Sequence, residues 1–327
     1  MDSAWPKPMA KLSTVKPMFT VRPYLPADAS AWDGLVERSR TGNMLHRRAY
    51  MDYHADRFVD RSLVIEHGGD IVAVFPASIR DRQVTSHGGL TYAGLIASHA
   101  LRAESTLAVF RQMGDYYRAN DVERVLYKAV PHIFHAYPAE EDLYALHRSG
   151  ARLTRRDLSS VIALQEPFQF NQGRKRAVNK ARKAGIECQI RADPADFHAL
   201  LCEVLQKHGT SPTHSLEELY LLQARFPGQI VLHEARREGV LLAGVLVYDF
   251  GAVVHTQYLA ASQEGRHLNA LTLLLAELIE REYADRRYLS LGISTEQQGT
   301  VLNEGLVAQK EYFGARAVVH DFYEWVL

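Results

Sequence analysis

The chain is written twice. Displaced by 168 positions, residues 26–66 fall on residues 194–234 without a gap, and nine of the 41 aligned pairs are identical, where ordinary composition would give roughly two or three. The matches cluster: Pro26-Ala27-Asp28 falls on Pro194-Ala195-Asp196, His46 on His214, and Arg57-Phe58 on Arg225-Phe226. The repeat implies two copies of one unit in tandem.

The pattern of elements continues where the identities fade. Residues 63–79 and 230–247 each read as two apolar strands about a short polar turn, His67-Gly68-Gly69-Asp70 and Arg236-Arg237-Glu238-Gly239. Each pair precedes an apolar stretch ending in small residues, near 92–98 and 258–262. An amphipathic helix follows, over 104–118 and 268–283, with apolar residues three and four apart. A strand closes each unit, at 125–129 and 288–293.

Composition fits two domains. A chain of 327 residues exceeds the size at which one core keeps growing, and half of it suits one domain. The division predicted is a tail over 1–18, a first domain over 19–155, a linker strand and basic helix over 156–191, and a second domain over 192–327. Lys plus Arg and Asp plus Glu both number 38, so no global field favours nucleic acid or an anionic membrane. Cys188 and Cys202 lack metal-ligand spacing and cannot build a disulfide framework, which fits a reducing cytoplasm. No metal is expected. The tail has lysines and prolines but no apolar core of a signal peptide, and the apolar stretch 240–254 is too short and interrupted to span a bilayer.

The repeated unit, a helix pair, strands, a helix and a strand, resembles the GNAT superfamily of N-acyltransferases. Two such units in tandem resemble the Fem-type peptidyltransferases and, most closely in pattern, the tandem-GNAT nucleotide-sugar N-acyltransferases. The second half carries most of the likeness: His255-Thr256-Gln257-Tyr258-Leu259-Ala260-Ala261-Ser262, the helix from Leu268, and Gln309-Lys310-Glu311-Tyr312-Phe313-Gly314-Ala315, which is similar to the Lys-x-x-Phe-Gly ending of that group. The fold class this implies is α/β, two tandem GNAT-like domains, each a mixed, mostly antiparallel sheet flanked by helices. The resemblance also implies acyl-CoA as co-substrate and a loop that presents backbone amides to its pyrophosphate.

That loop departs from the family pattern. Gln263-Glu264-Gly265-Arg266-His267-Leu268-Asn269-Ala270 has one glycine where two small residues are expected, and Ser98-His99-Ala100-Leu101-Arg102-Ala103 has none. Ser262, Gly265, Arg266 and Asn269 are therefore the candidates for holding acyl-CoA, and the first half reads as having lost that role. Gly265 as a simple turn cap explains the same sequence.

Residues 172–185 hold Arg174, Lys175, Arg176, Lys180, Arg182 and Lys183 with no acidic residue, a helical run ending at Gly185. Between two domains such a run would bind a diphosphate; a solvated face is the plainer alternative. His208, Ser211 and His214, in a polar loop, are candidates for ordering a sugar or a pantetheine arm, although His46 retains the last histidine in the first half, which favours an architectural role for both. His87 and Tyr92 flank Gly88-Gly89, where a ligand would approach the backbone closely. Residues 131–144 mix aromatics, histidines and carboxylates beyond a strand end, where ligands of open sheets collect.

Amine attack on a thioester needs a proton acceptor, an oxyanion donor and positioning. His255 and Glu296 are the candidate bases, Tyr258 the donor to the leaving thiolate, and Lys310 a phosphate or oxyanion partner. The sequence thus reads as a cytoplasmic N-acyltransferase that moves an acyl group from acyl-CoA to a nucleotide-diphosphate amino sugar, with no nucleic-acid partner and no membrane insertion. The alternatives are a Fem-like transferase using aminoacyl-tRNA to build a peptidoglycan cross-bridge, and a non-catalytic binding protein on a decayed scaffold.

Overall fold

The computed structural model describes residues 19–166, 170–207 and 209–327; the tail and His208 lie outside them. The first half runs β1 (Phe19–Pro23), α1 (Ala29–Arg38), α2 (Arg48–Met51), β2 (Val59–Asp60), β3 (Leu63–His67), β4 (Asp70–Phe75), β5 (Ser78–Arg80), β6 (Gln83–Thr85), β7 (Ile96–Ala97), α3 (Ala103–Ala119), β8 (Arg124–Lys128), α4 (Glu141–Arg148) and β9 (Arg152–Ala163). Then come α5 (Gln172–Lys183), β10 (Glu187–Arg191), α6 (Ala195–Gln206), α7 (Leu216–Arg225), β11 (Ile230–Arg237), β12 (Val240–Asp249) and β13 (Val253–Ala261). The chain ends with α8 (Gln263–His267), α9 (Ala270–Glu277), β14 (Tyr288–Ile293), the short pair β15 (Thr295–Glu296) and β16 (Val301–Leu302), α10 (Glu304–Glu311) and β17 (Arg316–Val326).

The two halves share one plan. The order β1-β3-β4-β7 in the first is matched by β10-β11-β12-β13 in the second, and β1 shifted by 168 residues is β10. Both hairpins and both amphipathic helices form where the periodicity put them, α9 continuing into a π-turn at Leu278–Glu282.

The final strands are exchanged between the halves. β9, from the first half, pairs with β14 of the second, and β17, from the second, pairs with β8 of the first; β9 and β17 pair with each other at the centre of one eleven-stranded sheet. A boundary at 155/156 falls inside β9, a single strand of 12 residues. An edge strand leaves a row of unpaired backbone groups, and the exchange removes that row from both halves at once.

Strand alternation divides the second half's core. In β12, Val245 and Val247 join the core with α5 and α9, while Leu246 and Tyr248 join the core that α6 and α7 share with the first half. The junction is close to two-fold. Arg57 reaches Glu218 across it at 2.6 Å, and its repeat counterpart Arg225 reaches the carbonyl of Ala49 at 2.8 Å.

Candidate active site

A cavity of about 200 Å³ lies at this junction. Six aromatic rings line it, Tyr50, Tyr53, Tyr92 and Phe134 from the first half and Tyr248 and Phe250 from the second, with His214, His255, His320, Gln257, Thr91 and Thr213 as its other polar side chains. None of the described residues lining it is Asp, Glu, Lys or Arg. Such a lining favours a group of low charge or an ammonium attracted to ring faces, and gives a diphosphate no cation to pair with.

Local strand geometry aims these groups. β13 carries a bulge at Gln257: Leu246 pairs with Tyr258 and Val247 with Thr256, leaving Gln257 unopposed. The extra residue reverses the alternation, so Gln257 and its neighbour Tyr258 both lie on the side of the first half. β13 and β14 pair in parallel only from Val253↔Tyr288 to His255↔Ser290 and then diverge, and the opening beyond His255 is where the cavity lies.

The histidines are held neutral. His255 keeps one edge open to the cavity yet is densely surrounded, and burial, aided by His320 and Lys310, pushes its pKa down to about 3; its Nδ1 sits 3.1 Å from Ser290 Oγ. Burial lowers His214 and His320 to about 4 each. His214 Nδ1 lies 2.7 Å from the hydroxyl of Tyr258, whose pKa burial raises, so the phenol stays a proton donor. The first half repeats this pair, with the ring of His46 beside Tyr92 at 6.0 Å. His46 is fully buried, and its Nδ1 accepts from the backbone of Asn43 at 3.0 Å. In the first half the tyrosine of the pair lines the cavity, and in the second the histidine does.

The remaining sequence candidates separate into two groups. Tyr92, His214 and His255 line the cavity, with Tyr258 behind His214. His87 is turned away into the wall, where its ring packs against His54 and Phe58. The close approach expected at Gly88-Gly89 is made by the protein itself: a Cβ on Gly88 would lie 2.8 Å from Phe58, and one on Gly89 1.9 Å from His54. Ser211 is exposed beside the cavity residue Thr213. Glu296 is exposed on the β15–β16 pair, where it accepts from Asn303 at 2.7 Å, and it does not line the cavity. Lys310 is buried with all three ammonium donors used at 2.8 Å, on the carbonyls of Gly292 and Ile293 and on Ser294 Oγ; it fixes the strand end where β14 leaves β13.

The segment expected to cradle acyl-CoA is occupied by internal contacts. Ser262 caps α8, accepting from the amide of Gly265 at 3.0 Å. Gly265 is small because α8 rests on β12: a Cβ there would lie 1.9 Å from the carbonyl oxygen of Leu242. Arg266 donates to the carbonyl of Ala261 at 2.7 Å, and Asn269 takes a left-handed conformation, φ 62°, to turn α8 into α9. The backbone amides of Gly265, Arg266 and Asn269 are likewise engaged within the segment, on Ser262 Oγ and on the carbonyls of Ser262 and Arg266.

The basic helix is not at the junction. α5 packs Val178 and Ala181 onto the α9 side of the sheet, opposite the cavity. Lys175 and Arg176 are exposed there. Arg174 lies across the ring of Phe313 at 4.2 Å and donates to Thr272 Oγ1, in the first turn of α9, at 3.1 Å.

Sequence reading missed Tyr50, Tyr248, Gln257 and His320. Tyr248 is the one aromatic residue in the apolar strand β12, and His320 is a polar residue in a strand without clear alternation, signals too slight to read before β17 was known to cross between halves. Among the described residues no helix is long and apolar enough to cross a membrane, and no group of side chains could hold a metal ion.

Comparison with known proteins accords with this architecture. Residues 170–297 match the acetyltransferase (GNAT) domain family. The structure is similar to that of FemX, with a TM-score of 0.68 and 11% identity over 94% of this chain and 97% of that one. It is also similar to L-PGS from Bacillus licheniformis, with a TM-score of 0.62 and 12% identity over 91% and 92%. A tandem GNAT protein from the clavulanic acid biosynthesis pathway gives a TM-score of 0.51 and 12% identity over 94% and 98%. At these identities the structural likeness establishes the fold alone. A comparison with curated proteins gives no match. The match to the GNAT acetyltransferase family over residues 170–297 supports an acyltransferase.

Proposed function

We propose that the protein transfers an acyl group to an amine held in the cavity between its halves, with an aminoacyl ester of RNA as donor, in the manner the Fem-type resemblance implies. The observation that carries the acceptor assignment is the uncharged aromatic lining. An ammonium taken into such a cavity loses solvation without gaining a carboxylate, which lowers its pKa and favours the nucleophilic free amine. At about 200 Å³ the space suits the amine-bearing end of an acceptor and is below the usual size of a site for a whole nucleotide or cofactor, roughly 300–1,000 Å³.

The internal use of Ser262, Gly265, Arg266 and Asn269 supports an ester donor over acyl-CoA, as does the fold shared with FemX. In the reaction, the amine nitrogen bonds to the acyl carbon and the bond to the donor's leaving oxygen breaks. His255, oriented by Ser290 Oγ, lines the space in which the amine nitrogen would sit, and a neutral histidine of this lining takes the amine proton. Tyr258, with its hydroxyl on His214, fixes the histidine-bearing loop against β13.

A second reading keeps acyl-CoA as donor and a nucleotide-linked amino sugar as acceptor. Arg174 beside Thr272 favours it, because a guanidinium at the first turn of α9 would meet an anion placed there. The test incubates purified protein with small amines and amino sugars, and offers either RNA charged with labelled amino acids or a panel of acyl-CoA species. Ribonuclease-sensitive transfer of label supports the ester donor. Free thiol release with amide formation supports acyl-CoA, and neither product with any acceptor overturns both.

A further inference from the structure

Among the cavity residues that no motif predicted, His320 is the histidine. It lies on β17, the strand that the second half sends into the sheet between β9 and β8, and its side chain is 4% exposed. It lines the cavity, and its Nε2 has no hydrogen-bond partner among the described residues. An unpaired buried ring nitrogen costs desolvation with nothing in return. The ring is fixed from two sides by edge contacts to Tyr92 at 6.1 Å and Phe134 at 6.5 Å, and across the ladder it pairs with Asp157. His255 is near enough that a charge on either imidazole opposes protonation of the other.

We propose that His320 binds the acceptor amine through Nε2 and takes the proton that the nitrogen sheds as it bonds to the acyl carbon. This deepens the amine-site reading and rests on it. The nitrogen becomes cationic in the tetrahedral adduct, its N–H electron pair stays on nitrogen, and the proton passes to Nε2. When the carbon–oxygen bond of the donor breaks, the leaving oxygen takes a proton back from the imidazolium, so the histidine ends neutral and no other reactant is consumed. Asp157, on β9, and Asp321, beside it on β17, stabilise the transient cation, while His255 on β13 opposes it. Both ionic neighbours of the first kind are already engaged, Asp157 by Arg155 and Thr295 and Asp321 by Arg156, and Nε2 remains buried and unpaired at the cavity wall.

The experiment uses the full chain labelled with [13C]histidine and methylamine as probe, with methanol as the uncharged isostere. The His320 ring signal is assigned by its loss in His320→Gln or, should that variant misfold, His320→Asn. Methylamine should move this signal saturably and methanol should leave it in place. In acyl transfer, either variant should lower turnover by ~100-fold or more with the donor KM unchanged and the thermal midpoint near that of the parent. A signal indifferent to methylamine in a protein that acylates amines, or a folded variant within threefold of parental turnover, would overturn the assignment. If methylamine moves the signal but no donor supports transfer, the amine site stands and the transferase chemistry proposed above falls.

Discussion

The two halves begin as the same unit and diverge where a ligand would enter. In the second, β13 runs for nine residues beside β12, touches β14 over three positions, and then parts from it, leaving an opening. In the first, the equivalent strand β7 is two residues long, and an additional hairpin, β5–β6, takes the place beside β8. The gap between β7 and β8 is filled by chain: Ala93 donates to the carbonyl of Lys128 at 3.0 Å, and Leu95 to the hydroxyl of Tyr127 at 2.7 Å. One copy kept a cleft, and the other turned the corresponding segment into a wall of the shared cavity. After duplication only one copy has to hold the reacting groups, so the other is free to specialise in shape.

The sharpest way to break this comparison is to alter a histidine in each half. His255 and His87 are separated by the same 168 residues as the repeat, yet one lines the cavity and the other is packed into the wall. His255→Asn removes a cavity side chain beside His320 and is expected to lower turnover by ~100-fold through misplacement of the reacting groups. His87→Asn should leave the chemical step within about tenfold while lowering stability, because its neighbours are Phe58 and His54. Steady-state rates and thermal midpoints of both variants decide the matter; equal losses in turnover would mean that the halves share the chemistry.

The loops before the two long helices give the next largest effect. Gly265→Ala places a methyl against the Leu242 carbonyl, and α8 must lift from β12; a loss of about 3 kcal/mol, or 5–10 °C in thermal midpoint, is expected. Ala100→Gly in the exposed loop of the first half should change stability by less than about 0.5 kcal/mol. A well-folded Gly265→Ala protein with tighter acyl-CoA binding would restore that loop as a phosphate cradle.

Acid should act most on the junction, where five of the lowered histidines lie, with His233 on the α9 side, lowered to about 4, as the counterpart in the outer core. His46, His87 and His255 are lowered to about 3 and His214 and His320 to about 4, against about 6.5 in an unfolded chain. Below pH 6.5 the unfolded chain therefore binds more protons than the folded one, so this contribution is complete above that pH and is lost as pH falls toward 4. The slope is at most about 1.4 kcal/mol per pH unit for each group. Denaturant midpoints measured from pH 7.5 to 4.5 should fall, and His214→Gln should make the dependence shallower.

The smallest structural effect belongs to α5. Arg176, Lys180 and Lys183 are exposed, and their joint replacement by Gln should shift stability by less than about 1 kcal/mol. If the helix meets a polyanionic donor, the same variant should raise the donor KM and flatten its dependence on salt. A KM and a salt slope that both stay at the parental values would assign the helix to a solvated face.

What could be read from the sequence follows from how local each signal is. Hairpins and amphipathic helices depend on periodicity within a dozen residues, and they appear as predicted. Arg174 and Lys310 were visible as cations, but their neighbours were not. Lys310 is tied to Gly292, Ile293 and Ser294 by the fold of α10 against β14, and Arg174 lies on an aromatic ring contributed from 139 positions away. A single glycine at 265 looks the same in a sequence whether it serves a phosphate or a neighbouring strand, because the distinction rests on which backbone atom occupies the space of its missing Cβ.

The sequence alone determined that the chain has two copies of one α/β unit, which residues pair into hairpins, and which residue types were available for acyl transfer. Tertiary structure decided which of them meet. The exchange of β9 and β17 joins the halves into one sheet and carries His320 to the cavity, and the bulge at Gln257 sets two consecutive side chains on the same face. Both depend on hydrogen bonds between strands far apart in the chain, and a spacing rule that looks only a few residues ahead carries no information about them.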